Sequence, residues 1–258
     1  MTGTKARRFF VLAATAAALA AGCGGSLREN QTVEGVASYE RGKEAFDRKD
    51  YTDAIADLKA YVEQYPGTDN TDDALYFLGQ SYFQIKDYVL ASGQFDRLLR
   101  DFPASSRQPD ALYQLARCDD VQSHPAPLDQ AETLRAISRY KQFLDIYPEN
   151  PNAPEAIKRL DALNDRLAQK KYLNGRLYVR LKQYDAATFY LSATIAEYPG
   201  SRWAGQSALL LAGIYSRRGE YAEAATLLRQ VPETSAPSET KREAREQLRE
   251  IEKHELRP

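Results

Sequence analysis

The chain has few of the residues that bind metals, carry redox chemistry or cross-link a fold. Its 258 residues include two cysteines, two histidines, one methionine and one tryptophan. So few soft ligands exclude a disulfide framework, a haem attachment site and a zinc finger. Neither charge is in excess: 35 Lys and Arg stand against 36 Asp and Glu. Binding phosphates along a polynucleotide needs a basic surplus, so nucleic acid is not expected as a partner. A Gly-rich phosphate loop, an HExxH and a nucleophile elbow are also missing. The reading is therefore of a protein that is not an enzyme and needs no metal or cofactor. His124, in a Pro-rich stretch, and His254, in a charged tail, read as surface residues. Cys118, three places after Leu115 on an apolar stripe, reads as a buried and inert thiol. The pairs Asp72-Asp73 and Asp119-Asp120 read as helix caps and solvated charges rather than as an acid and a base.

Long apolar runs are scarce too. Phe9 to Ala21 is unbroken apart from Thr15, but its 13 residues fall short of the ~20 that span a bilayer. With Lys5, Arg7 and Arg8 ahead of it, the run has the form of a secretory signal. It closes on Leu19-Ala20-Ala21-Gly22-Cys23, which resembles a bacterial lipobox, with Ala20 where Leu is commoner. That resemblance implies removal of residues 1–22 and lipidation of Cys23, which becomes the N-terminus. Because Gly24 rather than Asp follows the cysteine, it also implies an outer-membrane destination. Residues 23–35 (CGGSLRENQTVEG) are expected to be a lipid-anchored flexible tether.

What the chain has in quantity is a repeat. Aromatic-proline pairs recur at Tyr65-Pro66, Phe102-Pro103, Tyr147-Pro148 and Tyr198-Pro199. Twelve places before each proline stands Ala54, Ala91, Ala136 or Ala187, and twelve before Ala54, Ala91, Ala187 and Ala224 stand Gly42, Gly79, Gly175 and Ala212. Ala54 and Ala91, like Ala187 and Ala224, are 37 positions apart. Each unit reads as two amphipathic helices crossing closely at the small residues, with Leu58, Phe95 and Leu191 on the facing side. Proline ends the second helix.

The pattern resembles the tetratricopeptide repeat, and the expected fold is an all-α tetratricopeptide-repeat α-solenoid of about five helix pairs. The solenoid is expected over residues 36–237, with units near 36–66, 73–103, 110–148, 154–199 and 206–232. The third unit carries eight extra residues, assigned to the Ser123–Pro127 stretch. The fourth carries 14, nearly four helical turns, so residues 154–182 form either one long helix or two. Residues 238–258 are expected to supply a charged capping helix.

In this repeat family, the place three before the Gly or Ala faces a peptide groove. It holds Tyr39, Tyr76, Tyr113 and Tyr172 here, with Lys43, Gln80, Arg117 and Arg176 beside them and Phe46 and Phe83 adding apolar surface. The same tyrosines could instead pack between neighbouring helices, and both readings stay open.

The lipobox, the tether and five repeats resemble the BamD family of outer-membrane β-barrel assembly lipoproteins. Leu167-Ala168-Gln169-Lys170-Lys171-Tyr172, Tyr178 and Tyr184-Asp185-Ala186-Ala187 carry that likeness, as does Ala136 to Pro148. It implies a scaffold anchored by lipid at the periplasmic face of the outer membrane. Its implied partners are the POTRA domains of the barrel insertase, other lipoproteins of the machinery and unfolded outer-membrane protein segments. Trp203 is the named candidate for partner docking. Asp73 to Gly79 also resembles periplasmic coordinators of the Tol–Pal type, and a pilus-assembly adaptor is a third possibility.

Overall fold

A computed structural model describes the backbone of residues 23–255 and the side chains of residues 34–253. The signal peptide expected at residues 1–22 lies outside the described residues, as do residues 256–258. Eleven α-helices are present among the described residues, and no strand. None of these helices is long and apolar enough to cross a membrane.

Two compact units divide at Arg107 and Gln108. In the N-terminal unit, α1 (Cys23–Asp47) pairs with α2 (Tyr51–Gln64), and α3 (Thr71–Gln84) with α4 (Tyr88–Asp101). The C-terminal unit pairs α5 (Gln108–Gln122) with α6 (Ala131–Ile146), α7 (Ala153–Arg180) with α8 (Tyr184–Glu197), and α9 (Arg202–Arg218) with α10 (Tyr221–Gln230). A last helix, α11 (Ser238–Glu255), lays Ala244 and Ile251 on the α9–α10 core. These serial antiparallel pairs are the architecture of tetratricopeptide α-solenoids.

The crossings fall where the small residues predict. A Cβ placed on Gly42 or Gly175 would lie 2.7 or 2.6 Å from the side chain of Leu58 or Leu191, and one on Gly79 would lie 2.7 Å from the Phe95 ring. Four of the five second helices stop at the aromatic residue before proline; α10 stops at Val231 instead. The Tyr65, Phe102, Tyr147 and Tyr198 amides donate to the carbonyls of Tyr61, Leu98, Phe143 and Thr194, closing the last turn. The following proline holds that aromatic residue out of the helical region.

The turns inside the pairs show a device that the spacing does not reveal. Lys49, Lys86 and Lys182 have φ of 64°, 67° and 57°, and Gly219 takes the same place at 80°. The Lys86 amide donates to the Phe83 carbonyl (3.0 Å) and the Asp87 amide to that of Tyr82 (2.9 Å), a Schellman-type closure repeated at the other three turns. A lysine in this left-handed region is strained where glycine is not. Lys86→Gly is therefore expected to stabilise the N-terminal unit by about 1 kcal/mol, read as a higher urea midpoint with an unchanged slope.

Two expectations meet the structure differently. Residues 23–35, expected as a tether, continue α1 as helix; Leu27, Arg28, Glu29 and Gln31 are good helix formers and no proline interrupts them. The surplus of the fourth pair becomes a single helix, α7, of 28 residues. Its N-terminal half and middle pack against α5, α6 and their connection: Arg159 pairs with Asp120 (3.0 Å), Arg166 meets Ser123, and Lys170 reaches the Leu128 carbonyl. Its second half holds α8, through Gly175 on Leu191 and Lys171 on Glu197 (2.9 Å). Most of the third pair's surplus goes into the α5–α6 connection, residues 123–130, which replaces the three-residue turns of the first two pairs. Buried Gln130 pins that loop by donating to the Pro125 and Leu128 carbonyls at 3.0 and 3.1 Å.

Candidate functional site

In the N-terminal unit, α1 and α3 present a half-buried aromatic wall. Tyr76, Gln80 and Phe83 recur at helical spacing on one face of α3, so a single stripe carries them. Phe46 of α1 lies 5.1 Å from Phe77, Tyr76 lies 5.7 Å from Phe77, and Phe83 lies 5.1 Å from Tyr88. Gln80 donates to the Tyr76 hydroxyl at 2.9 Å, which fixes how that ring is presented. The Arg107 guanidinium sits 4.9 Å from the Tyr76 ring centre and 5.3 Å from that of Phe77, and it pairs with Asp73. Lys43 is half-buried along the same wall.

The tyrosine ladder divides. Tyr76 is half-buried, whereas Tyr39, Tyr113 and Tyr172 are buried, as in the packing alternative of the two readings left open above. Tyr39 packs on Tyr61 at 5.6 Å and donates its hydroxyl to Asp73 at 3.4 Å. Tyr113 packs on Phe143 at 5.4 Å, and Tyr172 on Trp203 at 5.2 Å. Each ring has a large neighbour from an adjacent helix that covers it. Arg117 is half-buried and bonds Gln114 at 3.0 Å, while Arg176 is exposed with its guanidinium 5.7 Å from the Tyr172 ring. Trp203 is committed internally: besides stacking on Tyr172, its indole N–H donates to Asp165 at 3.1 Å.

The α7–α8 pair carries exposed apolar side chains that the spacing did not single out. Leu177 and Leu181 are 41% and 55% exposed, and Phe189 on α8 is 70% exposed. Tyr190 stacks on Tyr178 beside them, with ring centres 5.4 Å apart and planes within 8°. Arg176, Arg180 and Lys182 are exposed along the same stretch of chain. Phe189, Leu177 and Leu181 are thus exposed apolar side chains carried by one helix pair.

Asp119 and Asp120 are not solvated charges. Asp119 is buried and accepts from Arg135 (3.3 Å) and Arg139, while Asp120 holds Arg159 and the Tyr140 hydroxyl (3.2 Å). This network ties α5, α6 and α7 together. Beside it, buried Cys118 is a free thiol whose pKa is pushed up to about 12 by burial and then by Asp119. Tyr39 is likewise raised to about 12 by burial and by Asp73, and burial also raises Tyr140. All three folded-state values lie above the unfolded ones. Their stabilising contribution is complete below about pH 9 and is lost as pH rises toward 12. The urea midpoint should hold from about pH 7 to pH 9 and fall steeply above about pH 10.

Serial helix pairs that cross at small residues define an all-α protein of the tetratricopeptide-repeat class. The chain belongs to the YfiO family of outer membrane lipoproteins, whose model matches residues 32–226. No curated protein matches the sequence. Among solved structures, it is similar to the TPR2AB domain of yeast Sti1 in a pHSP90 complex. Identity there is 13% over 82% of this chain and 79% of that one, with a TM-score of 0.41. A tetratricopeptide repeat protein from Parabacteroides merdae is 16% identical over 85% of this chain and 87% of its own, with a TM-score of 0.39. A thermophilic TPR protein of Thermus thermophilus is 17% identical over 84% and 98%, with a TM-score of 0.33.

Proposed function

We propose that this lipoprotein is a non-enzymatic scaffold of the outer-membrane β-barrel assembly machinery. It is held at the periplasmic face of the membrane by lipid on Cys23, docks the POTRA domains of the barrel insertase, and helps receive unfolded outer-membrane proteins. The observation that carries the reading is family membership across residues 32–226, in a chain of helix pairs with a half-buried aromatic wall and an exposed Phe189. The Phe46–Tyr76–Phe77–Phe83 wall suits an incoming extended segment, because rigid rings give contact area at little entropic cost. The Leu177–Leu181–Phe189 surface, with cations beside it, suits a folded partner domain.

The test is co-purification from detergent-solubilised envelopes with a tag on this chain. Recovery of a barrel insertase and its companion lipoproteins is expected. Recovery of Tol–Pal or pilus components without an insertase would overturn the assignment. The anchor has its own check: Cys23→Ser should abolish the lipid-dependent mass increase and release the protein from membranes. An unchanged mass and unchanged fractionation would refute lipidation.

A further inference from the structure

The long helix α7 has a consequence beyond keeping the pairs in series. Its first half lies against α6 and its second against α8, so the flank of α6 and the α8–α9 turn stand apart above its middle. A cleft of about 900 Å³ opens there, lined in part by Ile137 and Lys141 of α6, Asp161, Asn164 and Leu167 of α7, and Pro199 of the turn. That volume is in the range of ligand-binding clefts. We propose that it binds an extended segment of a partner protein, in which an apolar side chain is flanked by a basic and an acidic residue. The proposal does not depend on the partner being the barrel insertase.

The wall formed by the turn is set before any ligand arrives. The Gly200 carbonyl accepts from the Ser235 amide at 3.1 Å and the Tyr198 carbonyl from the Ser201 amide at 3.0 Å. Three of the cleft's charges are already matched inside the protein. Asp165 takes the Trp203 indole N–H (3.1 Å) and faces Arg202 (3.5 Å), and Glu197 holds Lys171 (2.9 Å). Lys141 and Asp161 are both exposed, and neither makes an ion pair or hydrogen bond. They leave one positive charge on α6 and one negative charge on α7, which an acid and a base on a ligand would complement. Ile137, Leu167 and Pro199 supply apolar lining. The half-buried Asn164 carboxamide can both donate to and accept from a peptide main chain, which an extended strand exposes and a helix does not.

The test uses the full mature lipoprotein in detergent and random peptides of about twelve residues displayed on phage. Selected peptides are synthesised, and their affinities measured for wild type, for Asn164→Trp, which fills the cleft, and for the charge exchange Lys141→Glu with Asp161→Lys. All three positions are at least partly exposed, so the variants should keep the wild-type melting temperature. The expected peptides share a basic–apolar–acidic pattern and lose at least about tenfold in affinity on Asn164→Trp. The charge exchange should prefer peptides with acid and base interchanged, by a similar factor. Peptides that bind all three proteins equally, or no recurring pattern, would overturn the proposal. So would a wild-type dimer that Asn164→Trp dissociates in sedimentation, because a second copy would then be the occupant.

Discussion

Replacing Asp119 with alanine is expected to destabilise the C-terminal unit by about 3 kcal/mol. The carboxylate is only 5% exposed and accepts from two arginines of the next helix, Arg135 and Arg139. Removing it takes the acceptor from Arg139, whose side chain is 28% exposed, and leaves Arg135 with Glu132 alone. The loss stays below the full penalty for an orphaned buried charge because Arg135 is half exposed and can turn toward water. Asp119→Asn keeps an acceptor and should cost less than half as much. Because the molecule has two compact units, a single unfolding curve need not be two-state. Hydrogen exchange in α5 and α6 is therefore the direct readout, with strong deprotection expected in the alanine variant. Unchanged exchange there would mean that these charges are solvated after all.

Gly79→Val should be at least as damaging to the N-terminal unit, at about 3 kcal/mol or more. Even a Cβ at this position would lie 2.7, 2.9 and 3.0 Å from three atoms of the Phe95 ring, and that ring is fully buried with nowhere to retreat. Valine adds two methyl groups to the same clash. Gly93 of α4 is the matched control. It is exposed and has nothing within 4 Å of where its Cβ would stand, so Gly93→Ala should stabilise by about 1 kcal/mol through helix propensity. Equal effects of the two substitutions, read from urea midpoints, would contradict the close helix crossing.

The contrast between these glycines marks how far the sequence could be read. Gly42, Gly79 and Gly175 were legible as crossings because each recurs at a fixed distance from an alanine and an aromatic-proline stop. That regularity comes from local geometry, which spacing records. Contacts between distant parts of the chain leave no such trace. Asp119 reads as one more charge on a helix until α6 brings Arg135 and Arg139 against it. The tyrosine positions identify a face but not its neighbours, so Tyr39, Tyr113 and Tyr172 turn out to be covered by rings of other helices, and Tyr76 alone stays half open. Phe189 is the converse case: it stands two places after Ala187, on a side of α8 that the alanine pattern does not describe. The left-handed lysines were hidden because lysine is not the residue expected where φ is positive.

The proposed function is tested most directly at Phe189 of the fourth helix pair, where it expects the barrel insertase to dock. A photo-crosslinking amino acid at position 189, installed in cells and activated in intact envelopes, tests it at one side chain. The account predicts a single major adduct with the insertase, lost when Leu177 and Leu181 are both changed to glutamate. An adduct with a Tol–Pal component in place of the insertase, or an insertase that co-purifies undiminished while position 189 captures nothing, would contradict it.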